Sequence, residues 1–196
     1  MYGDRAVLDG LDLDVAPGEA VALVGPNGSG KSTLLRCVTG VDKPTAGTIE
    51  LAGKTLDERD PAIRTALAVV MDDLDFFPDL SVVEHLDLFA KAHRTPDAET
   101  VVDEVLREVG LVSASAQLPG TLSSGQRRRL ALASAFVRPR RLLILDEPEQ
   151  RLDTEGVAWL SERLVQEKEA GLGVLFASHH PSLVEEVADR VVDLGG

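Results

Sequence analysis

The sequence predicts an α/β fold, a mostly parallel sheet flanked by helices. Two observations carry this. In the second half, short buried β-runs alternate with helical patterns: LLIL at 142–145, a helical stretch at 157–168, VLFA at 174–177 and a helical stretch at 183–188. Strand then helix, repeated, is how crossover-connected parallel strands read. Near the start, EAVALV at 19–24 runs through a glycine-rich segment into KSTLLRCVTG, giving strand, loop and helix in that order.

The elements follow in chain order. Residues 7–15 (VLDGLDLDV) alternate, with Leu11, Leu13 and Val15 on one side, which predicts a half-buried strand. Pro17-Gly18 makes a turn, and 19–24 is a buried strand. Lys31 begins a helix that Gly40 ends. Residues 48–51 and 67–71 read as short strands. Ser81 and Glu84 have capping-box spacing ahead of an apolar helical run. Residues 98–109 have helical periodicity closed by Gly110, so 81–120 reads as helical. Ser123 or Ser124 caps a further helix through Val137, which extends this helical subdomain to about 81–137.

At 196 residues the chain is long enough for one domain with a small subdomain. Hydrophobic residues at 44% and charged residues at 27% are ordinary for a globular protein. A net charge of −13 argues against broad attraction to DNA or RNA, so no direct nucleic-acid partner is expected. No apolar run is long enough to span a bilayer, and the N-terminus lacks a signal-peptide pattern. The expectation is a soluble, cytoplasmic chain that reaches a membrane only through a partner. Cys37, the single cysteine, permits no internal disulfide and is expected as a small core residue. One Cys and four His show no zinc-ligand spacing. Arg127, Arg128 and Arg129, with Arg138, Arg140 and Arg141 nearby, read as a solvated helix face with partner charges.

Chemistry enters at Gly25, Pro26, Asn27, Gly28, Ser29, Gly30, Lys31 and Ser32. This GPNGSGKS fits the pattern G-x-x-x-x-G-K-[ST] between a predicted strand and a predicted helix. Glycines there let backbone N–H groups converge on phosphate oxygens at a helix N-terminus. Lys31 is placed to reach the β- and γ-phosphates, Ser32 to ligate Mg²⁺ and Thr33 to contact the α-phosphate. The fold is thus of the P-loop NTPase type. RLLILDE at 141–147 is an apolar strand ending in two acids, and Asp146 there suits Mg²⁺, directly or through water.

Between these motifs lie Leu122, Ser123, Ser124, Gly125 and Gln126. In this order, LSSGQ with its two neighbours resembles the ATPase domain of ABC transporters, whose signature is LSGGQ. Ser124 replaces the first signature glycine, and its Cβ restricts the backbone slightly. The resemblance implies a small antiparallel β region and an inserted helical subdomain beside the parallel sheet. It also implies that the signature completes the nucleotide site of a second copy. Ser123 and the Gly125 backbone would contact the γ-phosphate held by the opposite subunit, with the helix from Gln126 aiming its positive end there.

Further roles follow from the same resemblance. Glu147 is the general base that polarises the attacking water, and His179 contacts the γ-phosphate and links it to that water. Leu152-Asp153 resembles the D-loop of the dimer interface, with Glu149, Gln150 and Arg151 in place of the usual smaller residues. Tyr2 matches the aromatic that stacks on adenine. Aligned on Phe77-Pro78 and the Ser81 helix, Asp72 stands where the Q-loop glutamine is expected. A carboxylate there can take a Mg²⁺ bond but adds charge and lacks an amide donor. His180 matches no family requirement and is expected to face solvent. Relative to the family, the strands before the Tyr2 position and after 191–194 look short, so either the first sheet is reduced or the functional boundary extends past these residues.

The implied function is that of an ATP-binding subunit using ATP and Mg²⁺. It would form a homodimer on ATP binding and couple to a separate transmembrane permease subunit at the inner face of the cell membrane. A groove near Asp72 and residues 76–80 would receive a helix of that subunit. The compact domain leans toward export. Two other readings stay open: a soluble ABC ATPase for cofactor assembly, and a weakly hydrolysing ATP-gated switch suggested by Asp72.

Overall fold

The structure, a computed structural model, describes residues 7–57, 59–71 and 75–195. In chain order the elements are β1 (Ala20–Val24), α1 (Lys31–Val38), β2 (Glu50–Leu51), β3 (Lys54–Thr55), α2 (Pro61–Ala66), β4 (Leu67–Val70), α3 (Val82–Ala92), α4 (Ala98–Glu108), α5 (Ser124–Phe136), β5 (Leu142–Asp146), α6 (Thr154–Glu169), β6 (Gly173–Ala177), α7 (Pro181–Val187) and β7 (Arg190–Asp193). The main sheet has the order β4-β5-β6-β1-β7, and every neighbouring pair is parallel. All five strands therefore end at one edge of the sheet, and the ends of β5, β6 and β1 lie side by side. The antiparallel pair β2–β3 stands apart.

Successive side chains of a strand point to opposite faces, and here both faces are buried. In β1, Ala20 and Ala22 join one core while Val21 and Leu23 join the other. Leu143 and Leu145 of β5 and Val174 and Phe176 of β6 share the first core; Ile144 and Leu175 share the second. This is why these strands read as unbroken apolar runs. The first core is covered by α3, α4, α5, α6 and α7, with Leu86, Leu106, Leu130, Leu160 and Leu183 buried in it. The second is covered by α1 and α2 through Leu35 and Ile63. Among the described residues no helix is long and apolar enough to cross a membrane.

The helix ends follow their residues. Ser81 and Glu84 form a capping box at α3, Ser81 N donating to Glu84 Oε2 at 2.7 Å. At α5 it is Ser123, not Ser124, that caps, with Gln126 closing a second box.

Four expectations need correction. Residues 7–15 form no strand. Leu11, Leu13 and Val15 are partly buried and Asp12 and Asp14 exposed, so the alternation reports a segment laid on the core. A ladder also needs a neighbouring strand, and none of the described residues pairs with it. The strand at 48–51 is shorter and belongs to a hairpin turning at Ala52 (φ 52°) and Gly53 (φ 74°). Cys37 is half-buried, and burial, with Asp42 beside it, pushes its thiol up from the ordinary value. The arginines are mostly braces rather than a solvated face. Arg138 donates to the carbonyls of Arg64 and Leu67. Arg140 donates to those of Ala135 and Phe136 and pairs with Glu167. Burial, helped by neighbouring Arg140, pushes Arg138 down to about 10. Arg127 and Arg141 are exposed as expected.

Candidate nucleotide site

The loop between β1 and α1 turns through left-handed backbone at Gly25 (φ 140°) and Gly30 (φ 103°). Neither position has room for a side chain. A Cβ on Gly25 would lie 2.8 Å from Ser29 Oγ, and one on Gly30 would lie 2.9 Å from Val7 Cγ1. The buried Lys31 closes the loop on itself, its Nζ donating to the carbonyls of Gly25 at 2.8 Å and Pro26 at 3.2 Å. A cavity of about 440 Å³ opens over this loop, lined by Val7, Asn27, Gly28, Gly30, Lys31, Ser32, Thr33 and Glu147. Backbone N–H groups, a helix N-terminus and a lysine converging on one cavity suit a phosphate chain.

Parallel strands bring the remaining groups to the same edge. Asp146 ends β5 and is buried. Glu147 follows in left-handed backbone (φ 45°), its N–H donating to Ala177 O at 2.9 Å across to β6. From the end of β6, His179 places Nε2 3.4 Å from Glu147 Oε1. Gln150 Nε2 donates to the other carboxylate oxygen, Oε2. The predicted phosphate loop, Glu147 and His179 thus meet at one place. His180 is half-buried rather than solvent-facing, its N–H donating to Ser178 Oγ at 2.9 Å. Tyr2 and Asp72, expected at the adenine and at the Q-loop position, lie outside the described residues.

Arg128 is the residue that charge reasoning misplaced. Its side chain is buried and donates to the carbonyls of Glu147 at 2.6 Å, Asp146 at 2.7 Å, Pro148 at 3.1 Å and Met71 at 3.2 Å. It therefore fixes the backbone beneath the two acids. No apolar stripe marks it out, because α5 is buried on every side from Leu130 to Phe136.

The signature segment lies elsewhere. Leu122 is buried, but Ser123 and Ser124 are exposed and none of residues 122–126 lines the cavity. Ser123 Oγ accepts from Gln126 N at 3.2 Å, and Ser123 N donates to Gln126 Oε1 at 2.9 Å. Gly125 approaches Arg151 so closely that a Cβ would sit 3.0 Å from its carbonyl oxygen. Asp153 caps α6, accepting from Gly156 N at 2.8 Å, and pairs with Arg129 at 3.0 Å. That N–H, with Arg129 beside it, holds the Asp153 carboxyl below its ordinary value.

For Mg²⁺ the chain offers two hard oxygen donors, Ser32 on α1 and Asp146 on β5. Among the described residues no group of three or more His, Cys, Asp or Glu side chains could hold a metal by itself. A cation taking one carboxylate and one hydroxyl with its remaining ligands from phosphate and water fits this donor set.

Known proteins resemble this chain in sequence and fold. The sequence profile of the ABC transporter family matches residues 8–150. The chain is 37% identical to the Nod factor export ATP-binding protein I of Cupriavidus metallidurans, covering 100% of this chain and 66% of that one. It is 39% identical to the Fe(3+) ions import ATP-binding protein FbpC of Streptomyces avermitilis, covering 97% of this chain and 56% of that one. The chain thus spans less than two thirds of the length of these relatives. The solved structure of an ATP-binding subunit of an ABC transporter superposes with a TM-score of 0.92 at 31% identity, covering 99% of this chain and 82% of that one. With a profile match over most of its length and relatives at this identity, the chain belongs to the ABC transporter family, as one of its ATP-binding domains.

Proposed function

We propose that this chain hydrolyses ATP as one half of a nucleotide-sandwich dimer, and that the cycle drives transport through a separate transmembrane permease subunit. One observation carries the reading. The cavity with the phosphate loop and Glu147 contains no residue of 122–126, while Ser123 and Ser124 lie exposed on the same chain. A second copy can bring its signature to the first copy's phosphates, and symmetry then builds two sites.

In each site the loop residues 25–33 bind the phosphates, with Lys31 turning from the loop carbonyls to the β- and γ-phosphates. Glu147 takes the proton of the water that attacks the γ-phosphorus in line, and the bond from that phosphorus to the β–γ bridging oxygen breaks as ADP leaves. Lys31, His179 and the partner copy's signature serine hold the charge that develops on the γ-phosphate. Ser32 and Asp146 would hold Mg²⁺, which when bound would help neutralise that charge. Tyr2 stacks on the adenine and Asp72 occupies the Q-loop position in this reading. Asp153 belongs to the copy-to-copy contact. The 196 residues act as one ATPase domain, with about 81–137 as its helical subdomain, on the cytoplasmic side of the membrane.

We read the direction as export, following the name of the Nod factor relative. Uptake, following the ferric-ion relative, is the second reading. Reconstitution with the permease in vesicles of fixed sidedness separates the two. The dimer itself is tested with Glu147→Gln. In saturating MgATP this variant should release no phosphate and run at twice the monomer mass by light scattering. A monomer under those conditions would sink the proposal.

A further inference from the structure

The turn that carries His179 is held from outside its own strand. Glu149 Oε1 accepts from Ser178 Oγ at 2.6 Å and from the backbone N–H of His179 at 3.2 Å. The buried Ser178 Oγ in turn accepts from the N–H of His180 at 2.9 Å. One carboxylate therefore restrains two successive N–H groups, one directly and one through a hydroxyl. Bonds to an ionised acceptor are stronger than those between neutral groups.

The His179 side chain is 42% exposed, so the turn that carries its backbone has a share in setting its direction. Glu149 reaches this turn because the β5–β6 pairing continues past the strands. Asp146 pairs with Ala177, and Glu147 N then bonds to Ala177 O. Glu149 and Gln150 follow two and three residues later.

We propose that Glu149 is a positioning residue for hydrolysis, holding the 178–180 turn so that His179 Nε2 faces Glu147 Oε1. Gln150 restrains the same carboxylate from its other oxygen. The proposal rests on the reading of Glu147 and His179 as reacting residues. What the turn requires is an acceptor oxygen at the position of Glu149 Oε1. An amide oxygen supplies it, and a methyl group does not.

The test uses the full chain and two readouts. In MgATP hydrolysis, Glu149→Ala should lower kcat by about tenfold, as small misplacements of reacting groups do. KM should move by less than about twofold, the mark of an effect confined to the transition state. Glu149→Gln should restore most of kcat. In a His179→Ala background, Glu149→Ala should add no further loss, because its effect passes through His179. On the nucleotide-free chain, hydrogen exchange at the His179 and His180 amides should speed up in Glu149→Ala and not in Glu149→Gln. Equal losses of kcat in both backgrounds would overturn the proposal, as would unchanged exchange in Glu149→Ala. If His179→Ala alone leaves kcat intact, the hydrolytic role of His179 falls instead. The exchange data then still decide whether Glu149 holds the turn.

Discussion

At the scale of single residues, the two cations that matter most do opposite things. Lys31 is buried against carbonyls of its own loop, ready to exchange them for phosphate oxygens. Lys31→Ala should weaken nucleotide binding by about 2 kcal/mol, the worth of a charge-assisted hydrogen bond; calorimetric titration with MgATP checks this. Arg128 is structural. Arg128→Ala removes a donor from the carbonyls of Asp146, Glu147 and Pro148, that of Glu147 keeping only the Gln150 N–H, and should cost about 3 kcal/mol in urea unfolding. Arg128→Lys should recover little, since an ammonium lacks the planar fork that spans these carbonyls. The phosphate loop and Asp146 can be read from local spacing, whereas Glu147 and His179 are singled out only by the family resemblance. Arg128 was not legible, because α5 is buried on every side from Leu130 to Phe136 and no apolar stripe tells which arginine turns inward.

At the scale of elements, caps and pairings decide what the sequence discloses. The capping box at α3 was visible as Ser81 and Glu84, and Ser81→Ala should lower stability by about 1 kcal/mol. The α2 helix was overlooked although it carries an equally local signal: Asp60 accepts from Ala62 N at 2.8 Å, and Pro61 sits at the first helical position. Residues 7–15 fail for another reason. Alternation reveals burial on one side but says nothing of a partner strand, and a strand exists only with one. The start of β1 is tied to β7 by acids. Asp189 accepts from Ala20 N at 2.9 Å and pairs with Lys168 at 2.8 Å. Glu19 pairs with Arg190 at 2.9 Å. The Lys168 bond, then the Ala20 N–H, holds Asp189 below its ordinary 3.8, and the Arg190 bond holds Glu19 below its ordinary 4.5. A depressed folded-state pKa gives stability that is fully present above the unfolded value and lost as pH falls through the folded one. Stability should therefore decline below about pH 4, and less steeply in Asp189→Asn, as measured by thermal melts across the acid range.

At the scale of the whole molecule, the parallel sheet was legible because strands and helices alternate, whereas the order β4-β5-β6-β1-β7 was not. Strand order depends on which crossovers pack best, and nothing within one segment records that. The order nevertheless produces the site, since it sets the ends of β5, β6 and β1 beside one another and delivers Glu147, His179 and the phosphate loop to one edge. It leaves the exposed end of α5 outside the cavity, which is the physical reason to look for a second copy. The central claim is that Lys31 of one copy works with Ser123 of the other. The most direct measurement mixes two inactive chains, Lys31→Ala and Ser123→Arg, and follows phosphate release. If the site is shared, mixed dimers contain one site with an intact phosphate loop and an intact signature, and hydrolysis should rise well above that of either variant alone. If the mixture stays as inactive as its parts, the two motifs do not act across copies and the sandwich mechanism is wrong for this protein.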